Sequence, residues 1–212
     1  MRGILKTFLA LAIVFIGYVL WPGTARFDRF DPESLAESDL KSWQELARGQ
    51  WVRLTWTDYC SLHDQFHFPP LAAARMAVAY TRATYLLQTS KGAGREQKAR
   101  TFFEEYFDIA SRSVKRDVDP QLLARRELSI WTAAASKTSS IFFLSQESAE
   151  QWAAFAGGVA LDYYKGSSSL VLAAYVYGNR GERSMEGAKS LLLDGYRKLL
   201  AETQKQSIAK KR

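Results

Sequence analysis

One segment of this chain occurs twice. Residues 31–47, DPESLAESDLKSWQELA, align with residues 119–135, DPQLLARRELSIWTAAA, at an offset of 88, with seven identities in 17 positions. Asp31, Pro32, Leu35, Ala36, Leu40, Trp43 and Ala47 recur as Asp119, Pro120, Leu123, Ala124, Leu128, Trp131 and Ala135, and Asp39 is answered by Glu127. Aspartate followed by proline is a helix start: the carboxylate accepts the free amides of the first turn, and proline takes the position where no donor is needed. The alanine, leucine, tryptophan and alanine that come next fall at i, i+4, i+7 and i+11, one apolar stripe per helix. The pattern predicts two related helical halves, about 30–116 and 118–205, packed about a pseudo-twofold with their tryptophan stripes against each other. A generic helix start used twice is the plainer alternative.

The remaining spacing after residue 30 follows the helical period, without a run of strict alternation. It predicts helices from Pro32 to about His63, Pro69 to Thr89, Arg95 to Lys115, Pro120 to Phe143, Ser148 to Lys165, Ser168 to Tyr177 and Glu182 to Glu202. The breaks are Pro69-Pro70, Gly92 to Gly94, Asp117 to Pro120, Gly166 to Ser169 and Gly178 to Gly181. Gly157-Gly158 is read as a close-packing site inside a helix. The expected fold is all-α: a helical domain of about six helices over 26–205, built from two pseudo-repeats, with a basic tail at 206–212.

Ahead of that domain, Thr7 to Ala25 carries no charge, and Arg2 and Lys6 precede it. Residues 1–25 therefore read as a membrane anchor or signal segment. Phe8 to Trp21 spans only about 21 Å as a helix, so membrane contact is extended back over residues 4–21 with Lys6 snorkelling. Tyr18 and Trp21 suit an interfacial belt and argue for an uncleaved anchor. Gly23-Thr24-Ala25 offers the small residues of a cleavage site, which leaves secretion after cleavage as the alternative.

The triplet Phe30-Asp31-Pro32, then Ala36 and an acidic residue four before a tryptophan (Asp39 and Trp43, echoed by Asp119, Pro120, Ala124, Glu127 and Trp131), resembles an uncharacterised family of bacterial single-anchor membrane proteins with a helical domain. The resemblance implies one anchor followed by helices, and no activity. On that reading the chain crosses a bacterial inner membrane once, with the domain facing the periplasm or exterior.

Charge narrows the function. The net charge of +7 sits at the ends: residues 26–195 hold 21 basic and 21 acidic residues. Nucleic-acid binding needs positive charge on the folded body, so it is excluded as a leading reading. Cys60 is the only cysteine, which rules out an intrachain disulfide framework and reads as a half-buried small residue. No glycine-rich phosphate loop, GxSxG elbow or nucleotide fingerprint occurs, and no cofactor is expected.

Three constellations remain. Asp39 and Glu127, each four residues before a tryptophan, are candidates for a carboxylate pair doing acid–base work; the plainer reading pairs them with Arg53 or Arg126 on the surface. His63 and His67 stand at ligand spacing with Asp58 or Asp64 as a third group, against a plain helix-end role. Trp43 and Trp131 are candidate binding residues. The leading expectation is a non-catalytic, membrane-tethered interaction or scaffold domain with a protein partner; the alternatives are an enzyme using Asp39 and Glu127, or a binder of apolar ligands or lipid.

Overall fold

The structure, a computed structural model, describes residues 23–90, 92, 94–136, 140–180 and 184–209. Residues 1–22, which carry nearly all of the expected anchor, lie outside them. Among the described residues there is no strand, and no helix is long and apolar enough to cross a membrane.

The described residues form eight α-helices where about six are expected: α1 (Pro32–Ala47), α2 (Trp51–Cys60), α3 (Pro70–Thr89), α4 (Arg95–Val114), α5 (Pro120–Ser136), α6 (Ile141–Ala156), α7 (Ala160–Arg180) and α8 (Met185–Ala209). The two repeated starts are helix starts. Asp31 accepts the amides of Glu33 and Ser34 at 3.2 and 3.3 Å. Asp119 accepts those of Gln121 and Leu122 at 2.9 and 3.1 Å. Ala36 and Ala124 are wholly buried, and Leu35 and Leu123 are each 3% exposed. The repeated residues thus enter the protein interior in the same way. The side chain of Ala135, the last repeated position, lies outside the described ones.

Several breaks fall elsewhere than the spacing suggests. The long first helix is cut at Gly49, whose φ of +65° favours glycine, and α2 then runs into a π-helical turn, Ser61–Gln65. Helix α5 stops at Ser136, and α6 restarts at Ile141 behind the Ser140 cap, whose hydroxyl accepts the Phe143 amide at 3.3 Å. Gly157 and Gly158 are not inside a helix. Their φ values of +86° and +99° end α6, and the Tyr163 hydroxyl fastens the corner by donating to the Gly157 carbonyl at 2.5 Å. Gly166 to Ser169, expected to be a turn, lies within α7. Gly166 is instead a crossing point. A Cβ there would stand 2.6 Å from Leu199 Cγ, and one on Gly195 would stand 2.9 Å from the Gly166 carbonyl oxygen. The two glycines let α7 and α8 touch backbone to backbone. Helix α8 continues to Ala209, past the expected start of the basic tail, and residues 210–212 lie outside the described ones.

Each helix packs against the next in the chain, and α8 returns to α1, closing a ring. The starts of α1 to α4 recur in α5 to α8 at separations of 88, 90, 90 and 90 residues. The buried side chains form two clusters that do not follow the expected division near residue 117. One joins α3 and α4 to Leu123 and Ala124 of α5. The other joins α1 to α6, α7 and α8. Each first helix therefore sits in the core of the other set of four. Phe27 and Phe66 touch both clusters, with their ring centroids 4.9 Å apart.

Candidate functional site: a central cavity with three carboxyl groups

The ring of helices leaves a cavity of about 330 Å³, lined from every helix except α7. Its size is at the small end for a ligand pocket. Asp39, Ser42 and Trp43 enter from α1, Asp58 from α2, Tyr80 from α3, Tyr106 from α4, Glu127 and Trp131 from α5, Gln151 and Trp152 from α6, and Tyr196 from α8. No lysine, arginine or histidine is among the lining residues. Helices α1 and α5 are not packed neighbours, so the tryptophan stripes do not bury each other as expected. Both face this common space.

Asp39 and Glu127, singled out by the repeat, therefore do reach one site. Surface pairing does not hold them. Arg126 lies 3.6 Å from Glu147 and 3.9 Å from Glu150, and Arg53 donates to Gln50 at 3.3 Å. Glu127 is buried and accepts three bonds: from the Tyr80 hydroxyl at 3.0 Å, Trp131 Nε1 at 3.0 Å and Gln151 Nε2 at 2.9 Å. Burial pushes its pKa up, against the pull of the Gln151, Tyr80 and Trp131 donors. Asp39 accepts from the Tyr196 hydroxyl. Burial pushes it up to about 6, the Tyr196 bond opposing. The two repeated acids are thus each held by a tyrosine, but Tyr80 and Tyr196 are not repeat equivalents.

The carboxyl group coupled to Asp39 is Asp58 rather than Glu127. Burial raises Asp58 to about 7, with the negative charges of Asp39 and Glu45 adding to the effect and the Ser42 bond opposing it. Ser42 Oγ donates to Asp58 Oδ1 at 2.9 Å, while Oδ2 is buried with no hydrogen-bond partner. The Tyr106 hydroxyl feels all three acids: burial first, then Glu127, Asp58 and Asp39, raise its pKa. Chemically, the cavity combines one carboxylate with three donors, a second held by a tyrosine hydroxyl, a third that has a buried unpartnered oxygen and feels the charge of the second, and aromatic walls.

The histidines do not join this site. His63 Nδ1 is 2.9 Å from the Phe68 carbonyl oxygen, and its ring stacks on Tyr59 at 5.7 Å. His67 takes a φ of +56° after the π turn. No group of three His, Cys, Asp or Glu residues suited to a metal ion occurs among the described residues. Asp58, expected only as a third metal ligand, lines the cavity instead. Tyr80, Gln151 and Trp152 have no signal in the sequence beyond being aromatic or polar at helical positions, while Tyr106 and Tyr196 stand 90 residues apart, the separation of α4 and α8.

Comparison with family models, curated proteins and solved structures finds no match. The resemblance drawn from the FDP segments rests on those residues alone.

Proposed function

We propose that this chain is a membrane-tethered helical domain that binds a small organic molecule in its central cavity, between two halves related by duplication. The observation that carries the reading is the convergence of Asp39, Asp58 and Glu127 with Trp43 and Trp131 on one cavity. A buried carboxyl oxygen without a hydrogen-bond partner, as at Asp58 Oδ2, destabilises a fold, and its presence on a cavity wall favours a binding site over a structural core. The duplication is supported by the repeated starts of all four helix pairs. A scaffold role, the leading expectation from the sequence, leaves these acids without a use.

The tether rests on the apolar run at 4–21 and on the way residues 25–27 are fixed to the domain. The Ala25 amide donates to the Ser113 carbonyl at 3.1 Å and the Arg26 amide to the Phe66 carbonyl at 2.7 Å. Ala25 is buried, and Phe27 stacks on Phe155 with centroids 5.7 Å apart. Chain bound into the domain at the residue before the cleavage point favours an uncleaved anchor, with the domain held close to the bilayer on the outer side of the inner membrane.

The test is a ligand-observed NMR fragment screen on the full chain in detergent, repeated on Ala110→Leu, which places extra volume at a cavity-lining position. Near-UV circular dichroism checks that the variant keeps its packing. Fragments that bind the wild type and are lost in the variant support the reading; a screen with no such fragment overturns it. The coupled Asp39–Asp58 pair favours a second reading, an acid–base enzyme. Mass spectrometry of cavity ligands after prolonged incubation tests that reading, and unchanged ligands count against it.

A further inference from the structure

The lining of the cavity is one-sided in charge and in hydrogen bonding. Three carboxyl groups reach it, and no cationic side chain accompanies them. The nearest strong cation by sequence, Arg126, is engaged by Glu147 and Glu150. Glu127 already holds three donors. Asp39 has the Tyr196 hydroxyl, and Asp58 has only Ser42, leaving Oδ2 buried and unpartnered. The site holds no positive charge, and its unmet acceptor is Asp58 Oδ2.

The shape of that deficit separates candidate ligands. A compact metal ion needs several ligands on one point, and the described residues contain no such group. An anion meets three acids and no counter-charge. A neutral alcohol or sugar offers donors without charge. An organic cation meets both needs, and the walls suit its carbon body and its charge, because the faces of Trp and Tyr attract ammonium groups. The missing donor at Asp58 favours a protonated amine over a quaternary ammonium, which has no N–H to give.

We propose that the cavity binds a small organic ammonium ion, with its N–H groups directed to Asp58 and Asp39 and its carbon body against the Trp43, Tyr106 and Trp131 walls. This rests on the binding reading above and names its ligand class. The titratable groups facing the acids are Glu45 on α1, Tyr80 on α3, Tyr106 on α4, Glu127 on α5 and Tyr196 on α8. The three tyrosines are pushed above their ordinary range by burial first, so they stay neutral at and below pH 8. Over that range the carboxyl groups control the charge of the site. Acidification through the values of Asp58, about 7, and Asp39, about 6, removes the charge of the two acids to which the ammonium N–H groups are directed.

The experiment is calorimetry and tryptophan fluorescence on the full chain in detergent with matched probes: 2-phenylethylamine against 2-phenylethanol, and cyclohexylmethylamine against cyclohexylmethanol. At pH 8 each amine is expected to bind at least tenfold more tightly than its alcohol. The preference is expected to disappear at pH 5 and in Asp58→Asn, and to shrink in Asp39→Asn. Proton release on amine binding near pH 6.5, read from buffers of different ionisation enthalpy, is a second expected signature. Equal or tighter binding of the alcohols overturns the inference, as does a preference for amines that survives at pH 5 and in Asp58→Asn. No saturable binding by either amine also overturns it. If the fragment screen then still finds neutral or acidic molecules lost in Ala110→Leu, the binding reading stands and only the ligand class falls. If it finds none, both fall.

Discussion

Replacing Asp58 by asparagine is expected to stabilise the protein at neutral and alkaline pH. Asparagine keeps the shape of the side chain and an acceptor for Ser42 Oγ, which bonds Oδ1 at 2.9 Å, but carries no charge. The native carboxyl is raised from 3.8 to about 7, by burial first and by the charges of Asp39 and Glu45. The sign comes from proton linkage. Below pH 3.8 the aspartate is protonated in both folded and unfolded chains, and its contribution to stability is fully present. As pH rises toward 7 the unfolded chain gives up its proton first, so the native state loses that contribution, and the loss is complete above about pH 7. A shift of about three units at about 1.4 kcal/mol each sets a ceiling of about 4 kcal/mol. Water in the cavity and relaxation around the acid reduce it, leaving about 2–4 kcal/mol.

In a chain of this size, that corresponds to a rise in Tm of roughly 6–12 °C at pH 8. The assay is thermal and urea unfolding of the full chain in detergent, wild type beside Asp58→Asn, at intervals from pH 4 to pH 8. The difference is expected to be near zero at pH 4 and to grow through the interval. Asp31 and Asp194 do not confuse it, because their hydrogen bonds hold them below 3.8 and they titrate outside the window. A variant less stable than wild type at pH 8, or a difference constant with pH, would refute the reasoning.

Gly195→Ala is expected to destabilise by about 1–2 kcal/mol, because over-packing outweighs the gain in helix propensity; its Cβ would stand 2.9 Å from a backbone oxygen. Gly187→Ala in the same helix, with nothing within 4 Å of the added Cβ, is expected to stabilise by roughly 0.5–1 kcal/mol, and urea unfolding compares the two. Trp131→Phe removes one of the three donors to Glu127 and is expected to cost about 1–2 kcal/mol by the same measurement. Asp31→Ala and Asp119→Ala each remove a helix cap and are expected to cost about 1 kcal/mol, adding in the double variant because the two caps share no partner. Mass spectrometry of protein from membranes is expected to find the amino-terminal apolar segment intact; a chain beginning at Arg26 refutes the tether.

Much of the fold was legible because its strongest signals are local. An Asp-Pro start depends on a few consecutive residues, and both starts form as the spacing indicates. Glycine was harder to read, because its two roles have opposite consequences for a helix. Gly157-Gly158 supplies positive φ and ends α6, while Gly166 lies inside α7 to admit another backbone. Taken alone, GGV and KGSSS do not reveal which role applies. The second depends on Gly195, 29 residues away and on the next helix. The spacing therefore joins and divides helices in the wrong places, and points to about six where the described residues form eight.

The site was half legible for a similar reason. Repetition marked Asp39, Trp43, Glu127 and Trp131, since residues at matching places in matching helices face matching surroundings. Duplication, however, carries no information about the groups those residues meet across a closed ring. Their tyrosines come from α3 and α8, which are not counterparts, so the offset of 88 that pairs the acids cannot find their partners. Asp58 has no acidic counterpart, since Ser148 stands 90 residues on, the separation of α2 and α6. That asymmetry is where the two halves differ chemically. Around Glu127, Tyr80, Trp131 and Gln151 satisfy one charge with three donors. Around Asp39 there is a second acid, Asp58, whose Oδ1 has Ser42 and whose Oδ2 has no donor. The repeated frame thus completes the hydrogen bonding of Glu127, while beside its counterpart Asp39 it leaves Asp58 Oδ2 buried without a donor.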